Sequence, residues 1–171
     1  MTMNTTIQPI SFNFNQLTNN QIMIVNDSVM GGKSDSKFEN NKTNTEFSGK
    51  VSLKNNGGFA SLRMIWPFQE SSAYNKLQLR LIGDGKTYQF RLRTNKGLDG
   101  AAYVYEFKTI KDKNITVDIN LHDFKASFRG RTLMNATDLK LSDVKQMGFL
   151  IAEKQVGNFS IDLESITLMN Q

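Results

Sequence analysis

The feature that most constrains the fold of this chain is a repeated alternation of apolar and polar residues along short segments. In one of them, Leu77, Leu79 and Leu81 are separated by polar residues. Successive side chains of a β-strand point to opposite faces of the sheet, so a period of two gives one apolar and one polar face. A helix would instead place apolar residues three and four positions apart. The pattern therefore predicts half-buried β-strands.

The same alternation recurs in other segments, between clusters of residues that favour turns. The apolar positions that share a face are Tyr88, Phe90 and Leu92; Ile115, Val117 and Ile119; and Phe159, Ile161 and Leu163. Glycine, asparagine and aspartate punctuate these segments, as at 83–86 and 111–114. Many short strands with such turns favour an antiparallel, all-β sandwich. Because 171 residues is the usual length of one domain, we expect a single domain over residues 1–171.

Two polar segments each contain a pair of adjacent glycines. Their defining residues are Asn26, Asp27, Gly31, Gly32, Gly57 and Gly58. Glycine adopts positive φ freely and lets another backbone approach closely, while asparagine and aspartate bond to the amides of tight turns. We therefore expect these residues to be structural, with a sharp bend at Gly31 and Gly32. A cation held by Asn26 and Asp27 is the alternative, but the dense carboxylates of a tight calcium site are missing, so the sequence predicts no metal.

These segments belong to a longer series of motifs. In chain order the motifs are VNDSVMGGKSDSKF, EFSGKVSLKNNGGFASLR, YQFRLRT, FRGR and QMGFLIAEKQVGNFSIDLESI. The series, at residues 22–168, resembles the complex I intermediate-associated protein 30 family. The resemblance implies a jelly-roll β-sandwich similar to galactose-binding and carbohydrate-binding modules. It also implies an assembly-factor or chaperone role, because eukaryotic members of that family assist the assembly of respiratory complex I.

Polar and aromatic side chains of the central strands form a candidate ligand platform on one sheet face. The alternation places the polar ones opposite the core, but it leaves open which side of segment 102–107 is buried. The candidates are Arg63, Gln89, Arg91, Arg93, Tyr103 and Tyr105. Arginine forks reach hydroxyl groups and anions, and aromatic rings offer a surface on which sugars stack. The alternative is that the arginines pair across strands with acids such as Glu106 and bind nothing.

A second candidate is the segment 128–131. Arg129 and Arg131 flank Gly130, and each guanidinium offers five donors in a fixed fork that can hold an anion. An equally open interpretation is a loop that crosses the end of the sandwich, with Phe128 plugging the core.

The composition excludes several kinds of site. There is no cysteine, so no disulfide, thiolate-bound metal or thiol nucleophile can form, and the one histidine, His122, excludes a multi-histidine metal site. No phosphate-binding glycine loop lies at a strand-to-helix junction, and we expect no cofactor. The chain shows neither a signal-peptide pattern nor an apolar run of about 20 residues. We therefore expect a cytoplasmic protein without membrane insertion.

These observations predict a non-enzymatic binding module or assembly factor. Its sheet face would bind a protein partner, among which complex I assembly intermediates are candidates, or a carbohydrate-like ligand. The alternative is an enzyme of unknown reaction in which Arg63, Arg91 and a carboxylate such as Asp27 or Glu106 converge. Residues 76–131 hold twelve basic and six acidic residues. Nucleic-acid binding is nevertheless the least favoured class, because the lysines fall mainly in turns.

Overall fold

The computed structural model describes residues 6–95, 100–152 and 154–170. These ranges form thirteen strands joined by loops and short 3₁₀ turns, with no α-helix among them. The strands are β1 (Ile10–Asn13), β2 (Ile22–Ile24), β3 (Asp35–Asn40), β4 (Thr45–Val51), β5 (Ala60–Ile65), β6 (Lys76–Ile82), β7 (Thr87–Arg93), β8 (Ala102–Lys108), β9 (Asn114–Asn120), β10 (Lys125–Phe128), β11 (Arg131–Thr132), β12 (Gln146–Ile151) and β13 (Gly157–Met169). No helical turn within the described ranges is long and apolar enough to cross a membrane.

The strands form two antiparallel sheets that pack into a β-sandwich. The six-stranded sheet has the order β3–β4–β13–β6–β9, with β1 beside the second half of β13. The seven-stranded sheet has the order β11–β10–β8–β7–β12–β5–β2. Neighbours in both sheets are often distant in sequence, as expected for the predicted jelly roll. The all-β prediction is confirmed.

The core lies between the sheets and is formed by the apolar positions that the alternation predicts. All three leucines of β6 are fully buried, as are Tyr88, Phe90 and Leu92 of β7. Phe149 of β12 lies at the centre of an aromatic cluster. Its ring centroid is 5.2 Å from that of Phe90, 6.0 Å from Phe14 and 6.4 Å from Phe107.

β13 is the long central strand of the six-stranded sheet. Its first half pairs with β4 and its second half with β1, while β6 lies along its other side. A bulge between Leu163 and Ser165 shifts the register by one residue. The inward positions therefore change from odd to even numbers, and Ile166 and Leu168 are fully buried.

Candidate binding face

Three arginines converge on the outer face of the seven-stranded sheet. Arg63 of β5 and Arg91 of β7 lie on either side of Gly148 of β12, which pairs with both of them. Arg93 is two residues further along β7 and lies opposite Gln146. A Cβ at Gly148 would overlap the carbonyl oxygen of Leu62, so glycine at this position lets the backbones of β12 and β5 approach closely between two arginines whose Cα atoms are about 10 Å apart. We call the outer surface formed by Arg63, Gln89, Arg91, Arg93, Gln146 and Gly148 the arginine face.

Hydrogen bonds hold two of these guanidinium groups in place. Nε and Nη2 of Arg91 donate to Oε1 of Gln89 over 2.9 and 2.7 Å. Nη1 of Arg93 donates to the carbonyl oxygen of Gly100 over 2.9 Å. Arg93 is only 8% exposed, and Arg91 is half-buried. The strands thus fix both side chains before any ligand arrives.

Burial and mutual repulsion disfavour the charged state of these arginines. Burial, and then the charge of Arg63, lower the pKa of Arg91 to about 10. Burial, followed by the charges of Arg63 and Arg91, lowers the pKa of Arg93 to about 10. Both side chains remain cationic at neutral pH. The arginine face therefore concentrates positive charge in a poorly hydrated place, where an added anion would be stabilised.

No cross-strand acid neutralises β7 within the part of the chain that the structure describes. The ion pairs formed there include neither Arg91 nor Arg93. Glu106 lies opposite Gln89 in the register and is exposed, so it is not the direct cross-strand neighbour of Arg91 or Arg93. Oε1 of Gln146 is buried and has no hydrogen-bond partner among the described residues. The face thus offers the cationic donors of β7, while the Gln146 acceptor lies buried beneath it.

Tyr103 and Tyr105 lie on the opposite side of the sheet from the arginines. Tyr105 pairs with Phe90 and Tyr103 with Leu92, so both tyrosines share the inner face with the core. The hydroxyl of Tyr103 donates to the carbonyl oxygen of Thr137 over 2.5 Å. The expectation that either tyrosine belongs to the ligand platform with the arginines is therefore wrong. The alternation left open which side of segment 102–107 is buried, and the register of β7 and β8 shows that the tyrosine side is.

The second arginine pair lies at the edge of the seven-stranded sheet, away from the arginine face. Arg129 is in the turn between β10 and β11, and its guanidinium carbon lies 5.2 Å from the centre of the Phe128 ring. Phe128 is 37% exposed, so it does not plug the core. Arg131 is exposed in β11, three strands from Arg91. The structure therefore does not bring the two groups of arginines together.

Asp27 joins the two glycine-containing segments from the inside. Its carboxylate is fully buried and accepts four hydrogen bonds. Ser34 donates twice, through its amide at 2.9 Å and its hydroxyl at 2.5 Å, and the amides of Gly58 and Phe59 donate at 2.6 and 3.2 Å. Burial alone would raise the pKa of Asp27, but the hydrogen bonds outweigh it and hold the pKa below its usual value. Asp27 is therefore used within the fold and not beside the arginines.

The glycines of these segments fit around that carboxylate. A side chain at Gly32 or at Gly57 would overlap the carboxylate of Asp27. Gly31 ends the preceding 3₁₀ turn with a φ of 88°, which is the bend predicted there. Asn26 contributes in the same region, since its Oδ1 accepts from the amide of Ser61 at 3.1 Å. Close approach to a buried anion thus explains two of the glycines.

Sequence reasoning missed Gly148 and Gln146 as parts of the arginine face. The motif QMGFLI carries only a weak signal, because Leu150 is buried along with Met147, Phe149 and Ile151 and the motif does not alternate cleanly. A glycine within a strand often marks a place where another backbone approaches closely, as that of Leu62 does here. What the sequence does not contain is the pairing of β12 between β5 and β7, which brings these residues beside the arginines.

The comparison with protein families identifies the chain. The profile described as complex I intermediate-associated protein 30 matches residues 11–163. The chain belongs to this family. The match includes β2 to β12 and the arginine face, and it confirms the resemblance inferred from the motifs. A comparison with curated protein sequences gives no significant match.

Solved structures with a similar fold include carbohydrate-binding modules. The family 11 module of the Clostridium thermocellum cellulase Lic26A-Cel5E is 18% identical, with a TM-score of 0.69 over 98% of this chain and 97% of that one. The C. thermocellum family 11 module in complex with a β-1,3-1,4-mixed-linked tetrasaccharide is 17% identical, with a TM-score of 0.65 over 97% and 98%. The xylan-binding module CBM86 from Roseburia intestinalis is 12% identical, with a TM-score of 0.55 over 96% of both chains. At these identities the likeness shows the fold alone.

Proposed function

We propose that this family member is a non-enzymatic binding module, and that its arginine face binds an acidic segment of a protein partner. The observation that carries the proposal is the convergence of Arg63, Arg91 and Arg93 around Gly148. Carboxylates match the guanidinium fork with two parallel hydrogen bonds. An acidic segment would also relieve the repulsion that lowers the pKa of Arg91 and Arg93.

An acidic protein segment fits this face better than a neutral sugar does. Sugars are commonly held by stacking on aromatic rings, and no aromatic side chain of β2, β5, β7, β8 or β12 projects from the described part of the arginine face. The family name makes a respiratory complex I intermediate the first candidate for the source of that segment. A cytoplasmic location, expected from the absence of cysteine, completes the proposal.

A titration tests the choice of ligand and the choice of face. The probes are a hexaglutamate peptide and the β-1,3-1,4-linked glucan tetrasaccharide, each added to the ¹⁵N-labelled protein at low salt. We expect hexaglutamate to shift the amides of β5, β7 and β12. Arg91→Met should weaken this binding by roughly tenfold. Lys50→Met is the matched control, because it removes one positive charge from the exposed face of the other sheet, and it should change the affinity less than twofold.

Two results would overturn the proposal. One is hexaglutamate binding that Arg91→Met and Lys50→Met weaken equally, since that would reflect net charge only. The other is tetrasaccharide binding at β5, β7 and β12 without hexaglutamate binding, which would replace the protein partner with a glycan.

Arg91→Met is also expected to stabilise the folded protein by about 1 kcal/mol. Arg91 is half-buried, repelled by Arg63 and partly desolvated, whereas methionine fills a similar volume without a charge. Urea denaturation followed by the fluorescence of Trp66, the single tryptophan, measures this difference. If the variant binds hexaglutamate more weakly but unfolds at a higher urea concentration than the wild type, the loss of binding does not come from a loss of structure. Destabilisation by this substitution would mean that Arg91 serves the fold.

A further inference from the structure

β9 forms an edge of the six-stranded sheet with unpaired backbone groups. Its ladder partner among the described residues is β6. Just before β9, the amide of Gly83 donates to the carbonyl of Lys113, and just after it the amide of Leu121 donates to the carbonyl of Asn75. In an antiparallel ladder alternate residues bond to a given neighbour, so the odd-numbered residues of β9 face β6. The residues whose backbone N–H and C=O groups point away from the sheet are therefore Asn114, Thr116, Asp118 and Asn120.

This edge lacks the features that usually protect an exposed strand from pairing with another chain. Such features are lysines, proline, bulges or a very short strand. The opposite edge, β3, carries charges at Asp35, Lys37 and Glu39, and the edge strands of the other sheet have three and two residues. β9 has seven residues in regular pairing and one charged side chain. That side chain, Asp118, accepts from Nε2 of Gln78 over 2.9 Å within its own chain.

The sequence of β9 reads nearly the same in both directions. It is Asn-Ile-Thr-Val-Asp-Ile-Asn, with Val117 at the centre. Antiparallel pairing with a second copy about Val117 creates the pairs Asn114 with Asn120, Ile115 with Ile119, and Thr116 with Asp118. The first pair brings two side-chain amides together, the second brings two isoleucines together, and in the third the threonine hydroxyl can donate to the aspartate carboxylate. The even-numbered residues are also those whose backbone N–H and C=O groups point away from β6. The register that matches the side chains is therefore also the one that forms backbone hydrogen bonds between the two copies.

We propose that two copies of this chain pair through β9, antiparallel about a two-fold axis at Val117, to form one continuous sheet. Such an axis makes each contact occur twice, as in most homodimers. The axis also places the inner faces of the two copies' six-stranded sheets on the same side of the joined sheet. There the half-buried Ile115 of one copy packs against Ile119 of the other.

Sedimentation velocity from low micromolar to several hundred micromolar protein tests the dimer. We expect a monomer–dimer equilibrium in the wild type. Thr116→Asp should raise the dissociation constant at least tenfold, because it places two carboxylates opposite each other at both symmetry-related pairs. Thr116→Lys is the matched control and should preserve or tighten the dimer, since it faces Asp118 with an opposite charge.

Within a single chain, the two substitutions are expected to affect stability in the direction opposite to their effect on the dimer. An effect on dimerisation can therefore be distinguished from an effect on folding. Thr116 lies opposite Arg80 of β6, so aspartate gains an attraction there and lysine a repulsion. Hydrogen exchange should show the amides of Thr116 and Asp118 protected at high concentration and exchanging after dilution. Val117→Cys should form a disulfide-linked dimer on oxidation, because the chain has no other cysteine and the paired Cα atoms would be about 4.5 Å apart. A wild type that sediments as a monomer throughout, or a dimer that survives Thr116→Asp, would overturn the proposal.

Discussion

Replacing Asp27 with asparagine is expected to lower the free energy of unfolding by about 3 kcal/mol. The carboxylate is fully buried and accepts from the amides of Ser34, Gly58 and Phe59 and from the Ser34 hydroxyl. The amide of asparagine has one acceptor oxygen, so its NH₂ group would face donors that already point inward. Urea denaturation at neutral pH measures the loss. Asp35→Asn is the control, because Asp35 is exposed and its replacement should change stability by less than about 0.5 kcal/mol.

The effect of Asp27→Asn is also expected to depend on pH. A carboxyl group whose pKa is lowered by folding stabilises the protein above its unfolded pKa, and this contribution disappears as the pH falls through the folded pKa. Hydrogen bonds outweigh burial and hold the pKa of Asp27 below its usual value. The difference between wild type and variant should therefore be complete above about pH 4 and shrink at lower pH. A difference that grows on acidification would contradict the ionised state of Asp27 in the folded protein.

Replacing Phe149 with alanine should cost about 4 kcal/mol, the largest loss that we expect from a single core substitution. Phe149 is 1% exposed, and its ring is in contact distance of Phe14, Phe90 and Phe107. Truncation removes the buried ring and leaves a cavity whose walls belong to different strands and a 3₁₀ turn. Such walls cannot collapse together, so little of the cost is recovered. Thermal and urea unfolding of wild type and variant measure the difference.

Two further variants make the Phe149 result specific. Phe149→Leu keeps most of the volume and should cost about 1.5 kcal/mol. Met134→Ala removes a side chain that is 88% exposed and should be nearly neutral. Equal losses for alanine and leucine would mean that the edge-on and tilted ring contacts, and not the cavity, determine the contribution of Phe149.

The strands were predictable from the sequence because one face of each is buried. The leucines of β6 and the apolar residues of β7 all point into the core, where the period of two places them. In β13 the same period fails at Glu164, and the structure shows why. The bulge before Ser165 adds one residue, so the apolar face resumes at Ile166. A break in the alternation was therefore a signal of irregular pairing and not of the end of a strand.

Features that depend on strand pairing were not predictable in the same way. In β8 both sides carry apolar residues, and the position of Tyr103 and Tyr105 on the inner face follows only from the register with β7. The arginine face requires β12 to lie between β5 and β7, although its residues come from distant segments. The hydrogen bonds of Asp27 to Gly58 and Phe59 likewise join positions about thirty residues apart. The local sequence pattern does not predict such contacts between distant segments.

The central position of β12 and β13 affects how the protein is made. β12 lies in the middle of the seven-stranded sheet and β13 in the middle of the six-stranded sheet, yet they are the last two strands of the described ranges. During synthesis, no strand can join β4 to β6 until β13 has been added. At translation rates of about 5–20 residues per second, the apolar faces of the earlier strands remain uncovered for several seconds. Neither sheet can therefore close before translation has passed its central strand.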